Sequence, residues 1–359
     1  MQAIARANPD HDMMQVIAAD ASLNAIDWDD GEDRIKRGVN EPLRLLTPVP
    51  ARNPDNTAAV HLYIHASEMA GVPLYAEPFA DRLGTLAPRS QHLVHMPSHT
   101  QYWIGRYKDA GLANLRAVTL GIEAAAAAAK PPEDGPFSQT YHAHNVHFGL
   151  GGAMIAGDGE TALAIARPLI AAGTDPRYKG FSRPSRLHLV GKGITVLGLF
   201  APDEVLNGPP PEDEILQSYW HYARGEALAA RGDAAGVKAE AAAMLLPPID
   251  RTKKDDRGEW VGATILAIGK HVLNGRAAMI EGRHDEALVA FQAAASLEED
   301  REFASQVDPP YWWYPERRSL AEAKLAAGDR AGAKAEAEAT LKRRPKDPGA
   351  LALIANVDR

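Results

Sequence analysis

The feature that most constrains this chain is a repeat of thirty-four residues. Two histidine pairs, His61/His65 and His95/His99, are offset from each other by that interval. A period of this length is typical of stacked helical hairpins, in which each repeat is a pair of helices that buries its apolar face only against its neighbours. The sequence therefore predicts a mostly helical array.

The composition of the 359-residue chain agrees with this prediction and disfavours several functions. Apolar residues recur at spacings of three and four, as on one face of a helix, and β-branched residues are sparse. The net charge of −8 disfavours binding to nucleic acid, and no apolar run is long enough to predict a membrane span. Without cysteine there are no disulfides and no thiolate metal ligands. The N-terminal residues do not have the pattern of a signal peptide, so we expect a cytoplasmic protein.

Individual repeats are recognisable from Thr57 onward. In each, a glycine follows the first helix and small apolar residues mark the buried face of the second. The predicted units begin near Thr57, Gln91, Ala143, Ser218, Ile268 and Tyr314, and their turn glycines are Gly71, Gly105, Gly157, Gly232, Gly282 and Gly328. Another unit, near Pro184, is predicted to be half a repeat, because the prolines at 209–211 cannot lie inside its second helix.

These units divide the chain into three predicted regions. Residues 1–56, with Trp28, form a degenerate N-terminal repeat that we expect to be truncated or to begin abruptly. Residues 57–217 contain the histidine-rich repeats. Residues 218–359 contain the C-terminal repeats and a short closing helix of the kind that caps a solenoid.

The repeats resemble the tetratricopeptide repeat (TPR) superfamily. The stretches HLYIHASE, HLVHMPSH, YHAHNVHF and PPYWWYPERRS are similar to those of an uncharacterised bacterial subgroup with HxxxHxxE and HMPSH motifs. The resemblance implies an all-α, right-handed solenoid of about six or seven hairpins around one concave groove. It implies no established activity.

The resemblance also implies where the histidines point. In TPR proteins the second, fifth, ninth and twelfth positions of the first helix line the groove. His61 and His95 occupy the fifth position of their repeats, and His65 and His99 occupy the ninth. The same register places three further polar residues on this wall: Glu68, His144 and His147.

A wall of imidazoles with one carboxylate predicts a metal site. Histidines four residues apart on a helix lie about 6 Å apart at Cβ and can bind one ion. Such ligands suit a divalent transition metal, Zn²⁺, Cu²⁺, Fe²⁺ or Mn²⁺. The predicted ligands are His61, His65, His95, His99 and His144, and the predicted catalytic acid–base or orienting groups are Glu68 and His147. This surplus leaves two alternatives open, a dinuclear site or histidines that support the ligands from behind.

Other residues offer contacts for a ligand in the groove. An aromatic run at residues 311–314 either packs between repeats or stacks on a ligand. His92 and His142 are weaker ligand candidates. Basic side chains either bring a cation to the groove, for a carboxylate or phosphate, or lie in solvent: Arg183, Arg186, Lys192, Arg317 and Arg318.

Two functions from different classes fit these patterns. The first is a metal-dependent hydrolase or oxidoreductase that acts on a small molecule or peptide held in the groove. The second is a scaffold that binds a protein or peptide, with a structural metal or none. A closed pocket beside the metal favours the enzyme, whereas a long, open, uniformly lined groove favours the scaffold.

Overall fold

The computed structural model describes residues 1–26, 37–129, 135–139, 141–173, 183–252, 257–304 and 309–358. These residues form twenty-one α-helices and two 3₁₀ helices, and this part of the chain contains no β-strand. The prediction of an all-α fold is therefore confirmed. Trp28, Pro131 and Pro132 lie outside the described residues. No helix in the described part of the chain is long and apolar enough to cross a membrane.

The N-terminal third carries the histidine pairs. Four short helices come first: α1 (Gln2–Ala7), α2 (Asp12–Leu23), α3 (Asn40–Leu46) and α4 (Pro48–Arg52). The segments that follow are α5 (Thr57–Met69), a 3₁₀ helix (Pro73–Ala76), α6 (Glu77–Leu86), α7 (Gln91–His95), α8 (Pro97–Ile104) and α9 (Tyr107–Ala127). Proline at the start of α8 has no N–H to continue the ladder of α7, yet Met96 between them keeps helical angles of φ −50° and ψ −38°.

The rest of the chain is built from longer helices. The central segments are a 3₁₀ helix (Gly135–Ser138), α10 (His142–Ala156), α11 (Gly159–Gly173), α12 (Arg183–Phe200) and α13 (Pro202–Asn207). The C-terminal helices are α14 (Glu214–Ala230), α15 (Ala234–Ala243), α16 (Arg257–Ile280), α17 (His284–Glu298), α18 (Arg301–Ala304), α19 (Glu316–Ala326), α20 (Arg330–Arg343) and α21 (Pro348–Val357).

Capping residues and glycines begin and end these helices as local chemistry requires. The side chains of Asn56, Asp233 and Asp329 each accept a hydrogen bond from a backbone N–H in the first turn of the following helix. The six predicted turn glycines all have positive φ, between 68° and 96°. Only glycine adopts that conformation without steric cost, so these positions set where one helix stops and the next begins.

Helices that follow each other in sequence pack against each other. Helix α9 packs on α10, α11 on α12, α16 on α17 and α19 on α20. Contacts between next-but-one helices, such as α12 with α14 and α17 with α19, join each pair to the next. The apolar core accordingly consists of several clusters along the chain.

The C-terminal end of the chain also contacts the N-terminal third. The Tyr107 hydroxyl donates to Asp347 Oδ2 at 2.5 Å, and the Lys346 backbone N–H donates to the Ile104 carbonyl at 2.7 Å. Lys346 Nζ also pairs with Glu77 at 2.6 Å. We call these contacts the clasp. They join residues 240 to 269 positions apart in the chain, so the C-terminal part of the chain returns to the N-terminal third.

Gly105 lies where the clasp approaches α8 most closely, and we expect its substitution to be costly. A Cβ at Gly105 would lie 2.5 Å from the Asp347 nitrogen, whereas a Cβ at Gly282 would meet no atom within 4 Å. Both residues have positive φ. Gly282→Ala should cost about 1–2 kcal/mol in free energy of unfolding, and Gly105→Ala about 1–3 kcal/mol more because the clasp must move. Urea unfolding of the two variants measures the difference, and equal losses would show that the clasp adds no stability.

Candidate metal centre

Six histidine rings form one continuous cluster inside the N-terminal half. Neighbouring ring centroids are 4.6–5.0 Å apart in the order His92, His61, His65, His99, His95 and His144. His92 and His95 stack with centroids 6.0 Å apart. That contact closes five of the rings into a loop, so the imidazoles surround a common space.

Four helices supply these rings. His61 and His65 lie one turn apart on α5, so their rings share a face of that helix. His92 and His95 come from α7, and His99 comes from α8. His144, in the first turn of α10, adds a ring from a fourth helix. The helical path through Met96 preserves the i,i+4 relation of His95 and His99 across the helix break.

His95, His99 and His144 form a triad in which ring nitrogens converge. His95 Nε2 lies 2.9 Å from His99 Nε2 and 3.0 Å from His144 Nε2. His95 and His99 are completely buried. Two nitrogens that bind one Zn²⁺ at tetrahedral angles lie about 3.3 Å apart, so a small outward movement would admit an ion.

The tautomers of two of these rings follow from their outer partners. Asn114 donates its amide Nδ2 to the Ala110 carbonyl, so its oxygen Oδ1 faces His95 Nδ1, 2.7 Å away, and can only accept. His99 Nδ1 lies 2.7 Å from Glu68 Oε2, which also accepts when ionised. Both Nδ1 atoms therefore carry a proton, and in the neutral form of each ring Nε2 presents a lone pair.

The contact between His95 Nε2 and His99 Nε2 has two forms, depending on the charge of His99. When His99 is an imidazolium paired with Glu68, its Nε2–H donates to His95 Nε2; when His99 is neutral, two lone pairs face each other across 2.9 Å and neither nitrogen can donate. A cation placed between them turns this repulsion into two coordinate bonds. Outer partners that hold Nδ1 while Nε2 binds the ion are the usual arrangement of metal-binding histidines.

A second triad adjoins the first. Ligand atoms of His61, His65 and His92 lie within 4.8 Å of one another, and the Nε2 atoms of His61 and His92 are 3.0 Å apart. The two triads meet at His65 and His99, whose ring centroids are 4.9 Å apart. These buried histidines could hold a metal ion in either group.

Burial keeps these imidazoles neutral. It lowers the pKa of His61 and His92 to about 4 and that of His144 to about 3, and the charge of neighbouring histidines lowers each further. The pKa values of His65 and His95 are lowered well below the usual 6.5 for the same reasons. A neutral imidazole has a lone pair to give to a metal, so these five rings are in their ligand form at neutral pH.

Glu68 lies behind the rings. Its Oε2 accepts from His99 Nδ1, and its Oε1 accepts from Trp103 Nε1 at 2.7 Å. Glu68 can also join His65 and His99 as a metal-binding group. Both carboxylate oxygens of Glu68 accept hydrogen bonds from fixed donors. Glu68 is therefore placed to orient the His99 ring.

Two predicted or candidate histidines lie away from the triads. His147 is on α10, one turn beyond His144, and its ring faces Tyr311 with centroids 5.5 Å apart. The Nδ1 atom of His142 lies 3.4 Å from the Nε2 atom of Gln91, and the His142 ring packs against Phe137. Burial lowers the pKa of His147 well below its usual value, so it is a neutral ring in the wall of a neighbouring cavity.

That cavity has a volume of about 190 Å³ and shares His144 with the first triad. Its lining is largely aromatic and aliphatic. The residues that matter to its chemistry are His144, His147, Lys192, Tyr219, Tyr311 and Trp312. A molecule bound there would lie beside the imidazole cluster.

Two contributors to the cluster are weak or missing in the predictions from sequence. His92 was a weaker candidate because it was expected to precede the first helix of its repeat, yet it lies on α7 and its ring completes the second triad. Asn114, on α9, was not among the predicted ligands or orienting groups, yet it orients His95. The i,i+4 rule finds ligands on one helix, whereas these two reach the site from another.

No protein-family model matches the chain, and no curated protein is similar enough to indicate a relative. The chemistry of the site therefore rests on its own geometry.

We expect Asn114→Leu to weaken metal binding by about 10–100-fold without displacing any ligand, because it removes the acceptor that fixes the His95 tautomer. Competition with a chromophoric chelator measures the affinity. Thr119, which is exposed on the same helix and hydrogen-bonds only to the Leu115 carbonyl, provides the control Thr119→Val. Equal affinity in the wild type and Asn114→Leu would contradict the role of Asn114.

The neutral cluster also predicts acid sensitivity of the metal-free protein. An unfolded histidine binds a proton below about pH 6.5, whereas folded His61 and His92 resist protonation until about pH 4. The unfolded state thus binds more protons in this window, and stability falls as pH falls through it. Each such histidine contributes about 1.4 kcal/mol per pH unit.

Urea unfolding in chelator from pH 7.5 to 5 measures this slope. The variant His61→Gln/His92→Gln should have a shallower slope than the wild type. A free energy of unfolding that does not change with pH in the wild type would show that the folded rings take up protons as readily as the unfolded ones, which contradicts the lowered pKa values.

Proposed function

We propose that this protein is a transition-metal-dependent enzyme whose metal is bound by His95, His99 and His144. The observation that carries the proposal is the convergence of their Nε2 atoms at 2.9 and 3.0 Å, with two of the Nδ1 atoms tethered from behind. Three imidazoles leave at least one position of a tetrahedral ion for water or substrate. That open position distinguishes a catalytic site from a closed structural one.

The donor set favours particular metals. Neutral imidazoles suit Zn²⁺, Cu²⁺ and Fe²⁺, whereas Mg²⁺, Ca²⁺ and Mn²⁺ prefer carboxylate and carbonyl oxygens. A bound ion of this kind would supply Lewis-acid or redox chemistry. The adjoining triad of His61, His65 and His92 has the same composition, and we propose that it holds a second ion.

The surrounding residues have separate tasks in this proposal. Glu68 and Asn114 hold the protons on Nδ1 of His99 and His95, so that both Nε2 atoms remain ligands. Trp103 fixes Glu68 by donating to its other oxygen. His147, neutral in the cavity wall, is the group able to accept a proton from a bound substrate.

The cavity supports an enzyme over a peptide-binding scaffold. It lies next to His144, has a volume of about 190 Å³ and is lined largely by aromatic and aliphatic side chains, which supports a small molecule as the ligand. The clasp ties residues 346 and 347 to the N-terminal third of the chain, which supports a closed arrangement of helices over a long open groove.

We further propose that the helices form a right-handed, TPR-like solenoid of the bacterial subgroup with HxxxHxxE and HMPSH motifs. Six of the seven positive-φ glycines in the described residues lie at the predicted turns of successive hairpins, which supports that repeat. Packing between neighbouring and next-but-one helices has the same pattern. The predicted boundaries at residues 57 and 218 then separate the histidine-rich repeats from those that follow.

Elemental analysis of untagged protein purified without chelator tests the proposed function. The wild type should retain transition metal, with two ions per chain when both triads are filled. His95→Ala/His99→Ala should lose the ion of the first triad, and His61→Ala/His92→Ala that of the second. Circular dichroism should show little loss of helix, because stability in a repeat array is spread over many interfaces.

The matched control is His221→Ala/His271→Ala. His221 lies outside the cluster, where its Nδ1 contacts Glu240 at 2.7 Å, so this variant should keep its metal. If the wild type binds no zinc, copper or iron even after reconstitution, the metalloenzyme proposal is wrong.

A further inference from the structure

Lys192 is a buried ammonium group in the wall of the cavity. It lies on α12 with 7 % of its surface exposed and lines the same space as His144 and His147. Lysine is almost never buried to this degree without a counter-ion, because removing its charge from water is costly. Its position therefore requires a physical reason.

No described residue neutralises this ammonium. Its hydrogen bond is a long one, 3.5 Å from Nζ to the His147 backbone carbonyl, and none of the described residues that line the cavity is acidic. Burial lowers the pKa of Lys192 to about 7. An anion entering the cavity would restore the charged form and supply the missing counter-ion.

The other basic residues considered from sequence have different surroundings. Arg317 pairs with Glu299 and Glu336, at 2.5 and 2.6 Å. Arg318 stacks over the Tyr314 ring at 4.7 Å. The Arg183 side chain lies outside the described residues, and Arg186 does not line the cavity. Of the five candidates, Lys192 is the one that the described structure brings into the cavity.

The rest of the lining determines what such an anion is attached to. Tyr219, Tyr222, Tyr311, Trp312 and Trp313 surround the space together with aliphatic side chains. Aromatic walls favour a flat, apolar body. A single ammonium among apolar walls matches one negative charge, which a carboxylate carries, rather than the higher charge of a phosphate monoester.

We infer that Lys192 binds the carboxylate of an aromatic or similarly apolar carboxylic acid, which is the substrate class of the proposed enzyme. The acid would lie between Lys192 and His144, with its apolar body against the aromatic wall and its far end toward the triad. That the bound acid is a substrate rests on the proposed function. The binding site itself depends only on the cavity and Lys192.

Calorimetric titration of chelator-treated protein with two matched pairs of probes tests the inference. The acids are benzoate and 2-naphthoate, and their neutral counterparts are benzamide and 2-naphthamide. The wild type should bind the acids more tightly than the amides. Lys192→Met should bind the acids about tenfold more weakly or worse, because a hydrogen bond to a charged group is lost, and should bind the amides as the wild type does.

Lys270→Met is the matched control. Lys270 also donates to a backbone carbonyl, that of Met244 at 3.4 Å, but it does not line the cavity. This variant should bind all four probes as the wild type does. If Lys192→Met fails to fold by circular dichroism, Lys192→Gln replaces it with a neutral polar group of similar length.

Three results would overturn the inference: failure of both acids to bind the wild type, equal binding of acids and amides, or undiminished acid binding by the Lys192 variant. All titrations use metal-free protein, so they remain informative if the metalloenzyme proposal fails. Acid binding without metal retention would leave an anion-binding protein. Metal retention without acid binding would leave an enzyme for a different substrate.

Discussion

A buried hydrogen bond ties the C-terminal part of the helical chain to its N-terminal third. Tyr107, at the start of α9, donates to Asp347, just before the last helix, and burial raises the pKa of the tyrosine so that it stays protonated and able to donate. Helices that pack only on their sequence neighbours would leave distant parts of the chain apart. Here the aromatic run is brought back to the N-terminal third as well, since the Tyr102 hydroxyl donates to the Trp313 carbonyl at 3.4 Å. The cavity has walls from both halves of the chain for this reason.

In the histidine cluster, the capacity to bind a cation comes with a cost in folding free energy. Burial lowers the pKa values of these imidazoles, and with His99 neutral two lone pairs face each other across 2.9 Å. Such an arrangement costs folding free energy in the absence of a cation and gains it back when a cation binds. Asn114 and Glu68 make the arrangement specific, because each fixes a proton on the outer nitrogen of a ring. These two hydrogen bonds raise the folding cost of the metal-free cluster, and they also orient the ligand nitrogens for metal binding.

Helix α10 connects this cluster to the cavity. His144 and His147 are three residues apart, so they lie on neighbouring parts of one helix face, the first against the triad and the second against the aromatic run. The Lys192 ammonium reaches the carbonyl of His147 from α12. A ligand held by Lys192 would thus lie between α10 and α12, next to the ring that links the cavity to the proposed metal. In this proposal the chemistry comes from α10 and the recognition of the carboxylate from α12.

The helical character of the chain and the local geometry of the histidine pairs could be predicted from the sequence alone. The spacing of apolar residues predicted an all-α chain, six glycines marked turns that require positive φ, and the i,i+4 pairs on α5 and across α7 and α8 share a face. These properties follow from the 3.6-residue period and from steric limits on φ, which act within a few residues. Three features are visible only in the folded chain. His92 joins the cluster, Asn114 orients His95, and Lys192 lies in a cavity whose described lining residues include no acidic one. Contacts between helices depend on how each hairpin is rotated against the next and on the return of the chain through the clasp, and no local spacing encodes either.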